Sequence, residues 1–109
     1  MYQWLNKNFP IWRDAEKLML EVEQAVRHFP RYHKYTLGSE LRQLATQSIN
    51  QKEMRTSWVK RLQIYIEELK LKIQLAKSVQ AFRAFAEFQS LVELAVSVAR
   101  QAHHWYKKL

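Results

Sequence analysis

At 109 residues the chain has room for one domain, residues 1–109, and 48% apolar residues with a single Gly and two Pro describe a compact, almost wholly helical fold. The absence of Cys excludes disulfides and thiolate metal sites, and no apolar run has the length of a membrane span or the form of a signal peptide, so a soluble cytoplasmic protein is expected. Eighteen Lys and Arg against ten Asp and Glu give a net charge of +8, which makes a polyanionic partner the leading expectation and simple solubility the alternative.

Ile11, Ala15, Leu18, Val22, Ala25 and Phe29 recur at three- and four-residue spacing, widened by Trp12, Met19 and Val26, and predict a helix over 10–28. Pro10 suits its first turn, where the missing N–H does no harm, and Pro30 disfavours helical geometry at Phe29. Thr36 is placed to cap a second helix whose buried stripe reads Leu37, Leu41, Leu44, Ala45, Ser48 and Ile49. Gly38 in its first turn gives up about 1 kcal/mol of helix propensity relative to Ala. Close approach of a neighbouring helix and a frayed helix start each explain it.

The apolar pattern lapses over 50–57, NQKEMRTS, the predicted second turn. A third helix over 58–78 carries Leu62, Ile66, Leu69, Ile73 and Ala76 at the heptad-like spacing of antiparallel bundle packing, with Leu71, Leu75 and Val79 off that seam. A fourth, over 82–107, presents Phe85, Phe88, Val92, Ala95 and Ala99 as one face, extended by Leu91, Leu94, Val98 and Trp105. The predicted architecture is all-α, an antiparallel up-down four-helix bundle. The last two helices exceed the roughly 100° of apolar arc that one small bundle needs. That surplus is either ordinary core or surface buried against another copy, and a domain this small gains from self-association.

Catalysis finds little support. Glu67 and Glu68 are adjacent on a helix and diverge by about 100°, so they cannot share a substrate atom, and Glu68 is placed to pair with Lys72 one turn on. His103 and His104 also point apart, with no carboxylate one turn away to complete a metal site. Neither a phosphate-binding Gly loop nor a nucleophile motif is present. No catalytic residue, metal, cofactor or small-molecule substrate is expected. Lys60, Lys70 and Lys77, with Gln63 and Gln74, share one side of the third helix roughly opposite Leu62, Leu69 and Ala76, which reads as a solvated face or a polyanion track. Arg31, Lys34 and Arg42 gather around the first turn with Tyr32, His33 and Tyr35, interleaving cations with rings that can stack on bases. Lys7, Arg13, Lys17, Lys107 and Lys108 add charge near the two ends.

The segment 29–42, FPRYHKYTLGSELR, has the order Phe29-Pro30-Arg31, then Tyr35, Leu37-Gly38 and Leu41-Arg42. It resembles the junction of the first two helices in a small four-helix bundle family. That family includes the proteins encoded in intervening sequences of large-subunit ribosomal RNA genes and the accessory variability determinant (Avd) proteins of diversity-generating retroelements. Glu68-Leu69-Lys70 followed by Leu75-Ala76, and the ending Val98, Arg100-Gln101 and Trp105, are similar to the Avd pattern, although His103 and His104 replace the small residues usual before the Trp. The resemblance implies a homopentameric barrel of bundles with a basic surface. It also implies association with a reverse transcriptase and with RNA or DNA, in support of error-prone copying of a template RNA during mutagenic retrohoming, the polymerase chemistry belonging to the partner. On that reading Arg31, Lys34, Arg42, Lys60, Lys70 and Lys77 are candidates for nucleic-acid or polymerase contact, Lys70 being best aligned with a basic site of the family. Phe88, Leu91, Val92 and Trp105 are candidates for packing within and between subunits. Two other functions fit the chain: a ribosomal-RNA-associated bundle of the intervening-sequence type, and a structural oligomer or interaction module whose charge only keeps it soluble.

Overall fold

The computed structural model describes residues 10–47 and 55–108. Every regular element among them is a helix: α1 (Pro10–Arg27), the single turn α2 (Arg31–Lys34), α3 (Leu37–Gln47), α4 (Arg55–Ser78) and α5 (Phe85–Lys108). α1 packs on α3 and α5, and α4 packs on the same two, so each long helix has two helical neighbours around one core. The 40 Å long axis matches the roughly 36 Å of a 24-residue helix at 1.5 Å per residue. Polar contacts join three of these four pairs: Arg42 Nε to Glu23 Oε2 at 3.0 Å (α3 to α1), Lys72 Nζ to Glu40 Oε1 at 2.8 Å (α4 to α3), and Ser90 Oγ to Glu21 Oε1 and Gln101 Nε2 to Asp14 Oδ2, both at 2.6 Å (α5 to α1).

Along α1 all six residues of the predicted stripe are buried, together with Val26. The helix ends one residue short of the predicted boundary. The N–H groups of His28 and Phe29 reach back three residues, to Ala25 O and Val26 O, and Pro30 is extended at φ −54°, ψ 146°. The turn then holds an element that periodicity did not anticipate. Pro30 O accepts from His33 N (2.9 Å) and Lys34 N (3.0 Å), winding α2 into one turn. Thr36 does precede α3, and its carbonyl accepts from Glu40 N at 3.2 Å, but its hydroxyl donates backwards to Tyr32 O and His33 O, both at 3.4 Å. The predicted side-chain cap is therefore replaced by a tie to α2.

Close approach accounts for Gly38. A Cβ built there would stand 2.7 Å from Val26 Cγ1 and 3.3 Å from the carbonyl oxygen of His33. Val26 is fully buried and stiff at χ1, so it cannot swing away. Gly38→Ala is expected to lose about 1–3 kcal/mol through overpacking despite the better helix propensity of Ala, and Val26→Ala in the same chain should restore part of it. Urea unfolding of the double-mutant cycle checks this, and a Gly38→Ala protein more stable than the parent would show that the contact relaxes freely.

α4 starts at Arg55, three residues before the predicted 58, so residues 55–57 of the expected turn are helical. The rest of that turn, with Ser48 and Ile49, lies outside the described residues, as does Lys7. Val59, Leu62, Ile66, Leu69, Ile73 and Ala76 form the buried seam. Two residues after seam positions, about 200° round the helix, Ile64 is 53% and Leu71 71% exposed, and Leu75 and Val79 continue that outer strip. The helix is apolar on two opposed sides. It ends at Ser78 without Gly or Pro: Ala81 N bonds to Ala76 O and Gln80 N to Lys77 O, both at 2.9 Å, a Schellman cap with Gln80 at φ 58° in the glycine-favouring position. Left-handed geometry costs a non-Gly residue about 1–2 kcal/mol, offset here by burial of Ala76 and Ala81 at the cap's apolar contact.

α5 begins at Phe85 rather than at 82. Its buried row is Phe88, Leu91, Ala95, Val98 and Ala102, while Val92, Leu94, Ala99 and Trp105 are half-buried and Phe85 is 63% exposed. The predicted row through Phe85 is thus corrected. Phe82, in the turn, packs on Phe29 (centroids 5.1 Å) and Phe88 (5.9 Å), filling the core edge that Phe85 was expected to fill.

Candidate nucleic-acid interface

Lys60, Gln63, Glu67, Lys70, Gln74 and Lys77 follow one heptad row that lies one residue after the core seam, about 100° round α4. The row flanks the core and does not stand opposite it, as the sequence had indicated; the opposite side belongs to Ile64 and Leu71. It borders α5, where Gln63, Glu67, Val96, Ala99, Arg100 and His103 line a cleft of about 410 Å³. From Lys60 to Lys77 it runs about 26 Å at helical rise. Lys60 is exposed and has no charged partner among the described residues, Lys70 Nζ lies 2.8 Å from Glu67 Oε2, and Lys77 Nζ stands over the Phe88 and Phe85 rings at 5.0 and 5.7 Å from their centroids. On the other flank Lys72 pairs with Glu40 of α3 and not with Glu68 on its own helix, because the packed neighbour offers the nearer carboxylate.

At the first turn the structure brings Arg31 and Lys34 onto the single turn α2 with Tyr32 and His33, whose rings meet edge-to-face at 5.0 Å. Arg31 is exposed and Lys34 half-buried, neither with an ion pair among the described residues. Arg42 is turned away from this group toward Glu23 of α1. Its Nε is buried and lies 3.0 Å from the carboxylate oxygen without the alignment of a hydrogen bond, so the contact is a charge pairing and not a directed bond. The partly exposed Lys70–Glu67 pair is worth about 0–1 kcal/mol, so a phosphate can replace Glu67 at Lys70 at little cost, whereas Glu23 holds a buried atom of Arg42 and is not so readily displaced.

Of the residues assigned to packing, Phe88 and Leu91 lie in the chain's own core. Val92 is half-buried beside it, and Trp105 lines a cleft of about 510 Å³ with Arg100, Gln101 and His104. Gln101 donates to Asp14 Oδ2 and to Ser97 Oγ (3.2 Å), the first bond tying α5 to α1. His103 and His104 are both exposed, and among the described residues no three His, Cys, Asp or Glu side chains are grouped to hold a metal. Among the same residues no helix is long and apolar enough to cross a membrane. Two residues that sequence reasoning passed over are Ile64, which opens the outer strip of α4, and Arg83, paired with Glu87 at 2.9 Å. The first was legible as the residue seven before Leu71.

No protein-family model matches the chain, and no curated protein matches it.

Proposed function

We propose that this chain is a non-catalytic, basic accessory protein of the Avd type, which binds nucleic acid and a reverse transcriptase and supports template-RNA copying in mutagenic retrohoming of a diversity-generating retroelement. Its architecture on this reading is an antiparallel up-down four-helix bundle that self-associates into a homopentameric barrel. The pairing of each long helix with two neighbours, and cross-helix contacts such as Asp14 with Gln101 and Glu21 with Ser90, support the antiparallel order. The observation that carries the reading is the outer surface of α4. An exposed apolar strip, Ile64, Leu71 and Leu75, runs beside a row holding Lys60, Lys70 and Lys77, so one helix offers surface to a second copy and cations to a polyanion. The net charge of +8 and the sequence resemblance add to it.

Co-expression with the reverse transcriptase of the same locus tests the partner: the two should co-purify at moderate salt, and failure to do so would remove the polymerase from the reading. The nucleic-acid half has its own test. Lys60→Glu with Lys70→Glu should weaken RNA binding and lower the log–log salt slope by about 1.4 on single strands, or about 1.8 on duplex DNA, without unfolding the protein. An unchanged slope would take this row out of the interface. A gene embedded in a ribosomal RNA operon would instead favour the intervening-sequence reading.

A further inference from the structure

The two turns that cap one end of the molecule, residues 28–36 and 79–84, are joined by a run of rings. Phe29 meets Phe82 edge-on at 5.1 Å, Phe82 leans on Phe88 at 5.9 Å, and Phe88 on Phe85 at 5.5 Å. The inner members Phe29 and Phe88 are buried, whereas Phe85 stands in water, and across the same end Tyr32 is 83% and Tyr35 69% exposed. Singly exposed aromatics need no explanation, but three at one end, set on buried rings and hydrogen-bonded turns, do. Their neighbours are cations. Arg27, Arg31, Lys34, Lys77 and Arg83 lie in these turns or in the helical turn beside each, against two carboxylates, Glu87 and Glu40, which Arg83 and Lys72 already hold. Lys77 Nζ sits over two of the rings, and Arg31 and Lys34 bracket the Tyr32–His33 pair on one helical turn.

We propose that this ring-capped end is a site for the unpaired bases of a single-stranded nucleic acid, with Tyr32, Tyr35 and Phe85 as stacking platforms and Arg31, Lys34 and Lys77 holding the adjoining phosphates. The site rests on the nucleic-acid reading above and adds to it a preference that charge alone does not give. Bases in a duplex are stacked on one another and offer no face to a protein ring, so a duplex can use the cations and not the rings. Stacking is tolerant of sequence, since every base has a π-face, and the end therefore selects strandedness over sequence. The platforms are preorganised: the Schellman cap at Gln80 holds the turn before Phe85, and the Pro30 carbonyl holds the turn carrying Tyr32.

Fluorescence anisotropy with labelled short oligo(dT), oligo(rU), an abasic strand of equal length and a duplex tests this on the full chain. Oligo(dT) or oligo(rU) should bind at least about tenfold more tightly than the abasic strand, and the ratio between them reports any preference for DNA or RNA. Tyr32→Leu and Phe85→Leu should each lower single-strand affinity by about 5- to 150-fold while leaving abasic and duplex binding and the salt slope unchanged. Both side chains are exposed, so an unchanged melting temperature is expected and serves as the folding control. If abasic and base-bearing strands bind equally, or a protein carrying both Tyr32→Leu and Phe85→Leu loses less than twofold, the stacking site is overturned while the basic-surface reading stands. Absence of binding to any of these probes at low salt would overturn both.

Discussion

Leu69→Ala is expected to destabilise the protein by about 2–5 kcal/mol. Leu69 is at 0% exposure midway along α4, in a seam formed with Leu62, Ile66 and Ile73 and packed against α3 and α5. Truncation removes the transfer energy of the lost methine and two methyl groups and leaves a cavity between helices that their own backbones prevent from collapsing. A domain of this size holds about 5–15 kcal/mol in total, so a single substitution removes a large share of it. Thermal unfolding followed by circular dichroism should show a fall of at least about 10 °C at fixed protein concentration. A shift near zero would mean that the α4 seam is not the core.

Two residues further on, the same side chain has the opposite consequence. Leu71 is 71% exposed and Leu75 is also exposed, so Leu71→Gln with Leu75→Gln removes no core contact and should change the stability of the isolated chain by no more than about 0.5 kcal/mol per site. If the outer strip packs against a second copy, each Leu contributes about 1.5–3 kcal/mol of burial there. Together they amount to about two to four orders of magnitude in the dissociation constant. Light scattering should find the parent at a multiple of 13.2 kDa that persists at high salt, and the variant at the mass of one chain. Gln is chosen because it leaves every charge in place, so nucleic-acid binding remains a separate readout. A parent that is monomeric at low and high salt would sink the assembly reading, and a variant that keeps its multimer would move the interface elsewhere. Because self-association raises apparent stability by mass action, the Leu69→Ala measurement is cleanest in this monomeric background.

The contrast between Leu69 and Leu71 shows how far the chain could be read. Heptad spacing assigned Leu62, Ile66, Leu69, Ile73 and Ala76 to the core and set Leu71, Leu75 and Val79 aside, and burial divides them the same way. The candidate cations were equally visible as residue types, but their surroundings were not. Spacing could place Arg42 near the first turn; it could not show Glu23 arriving from α1 to hold it. Nor could it show that Lys77 and Phe85, on different helices, sit together beside Phe88.

By itself the sequence determined the helical class and the approximate positions of the long helices, the buried stripe of α1, the α4 seam and the basic character of the whole. Each follows from the 3.6-residue period or from composition, which are local or additive properties of the chain. Only the tertiary structure decided why residue 38 is Gly, which carboxylate Lys72 meets, how a turn without Gly or Pro closes at Gln80, and which rings stand exposed at the capped end. Phe82 rather than Phe85 fills the core edge because a ring's burial depends on what the neighbouring helix leaves open, here the space beside Phe29. Contacts between residues far apart in the chain are set by close packing of side chains from several helices, and no single helix carries that information.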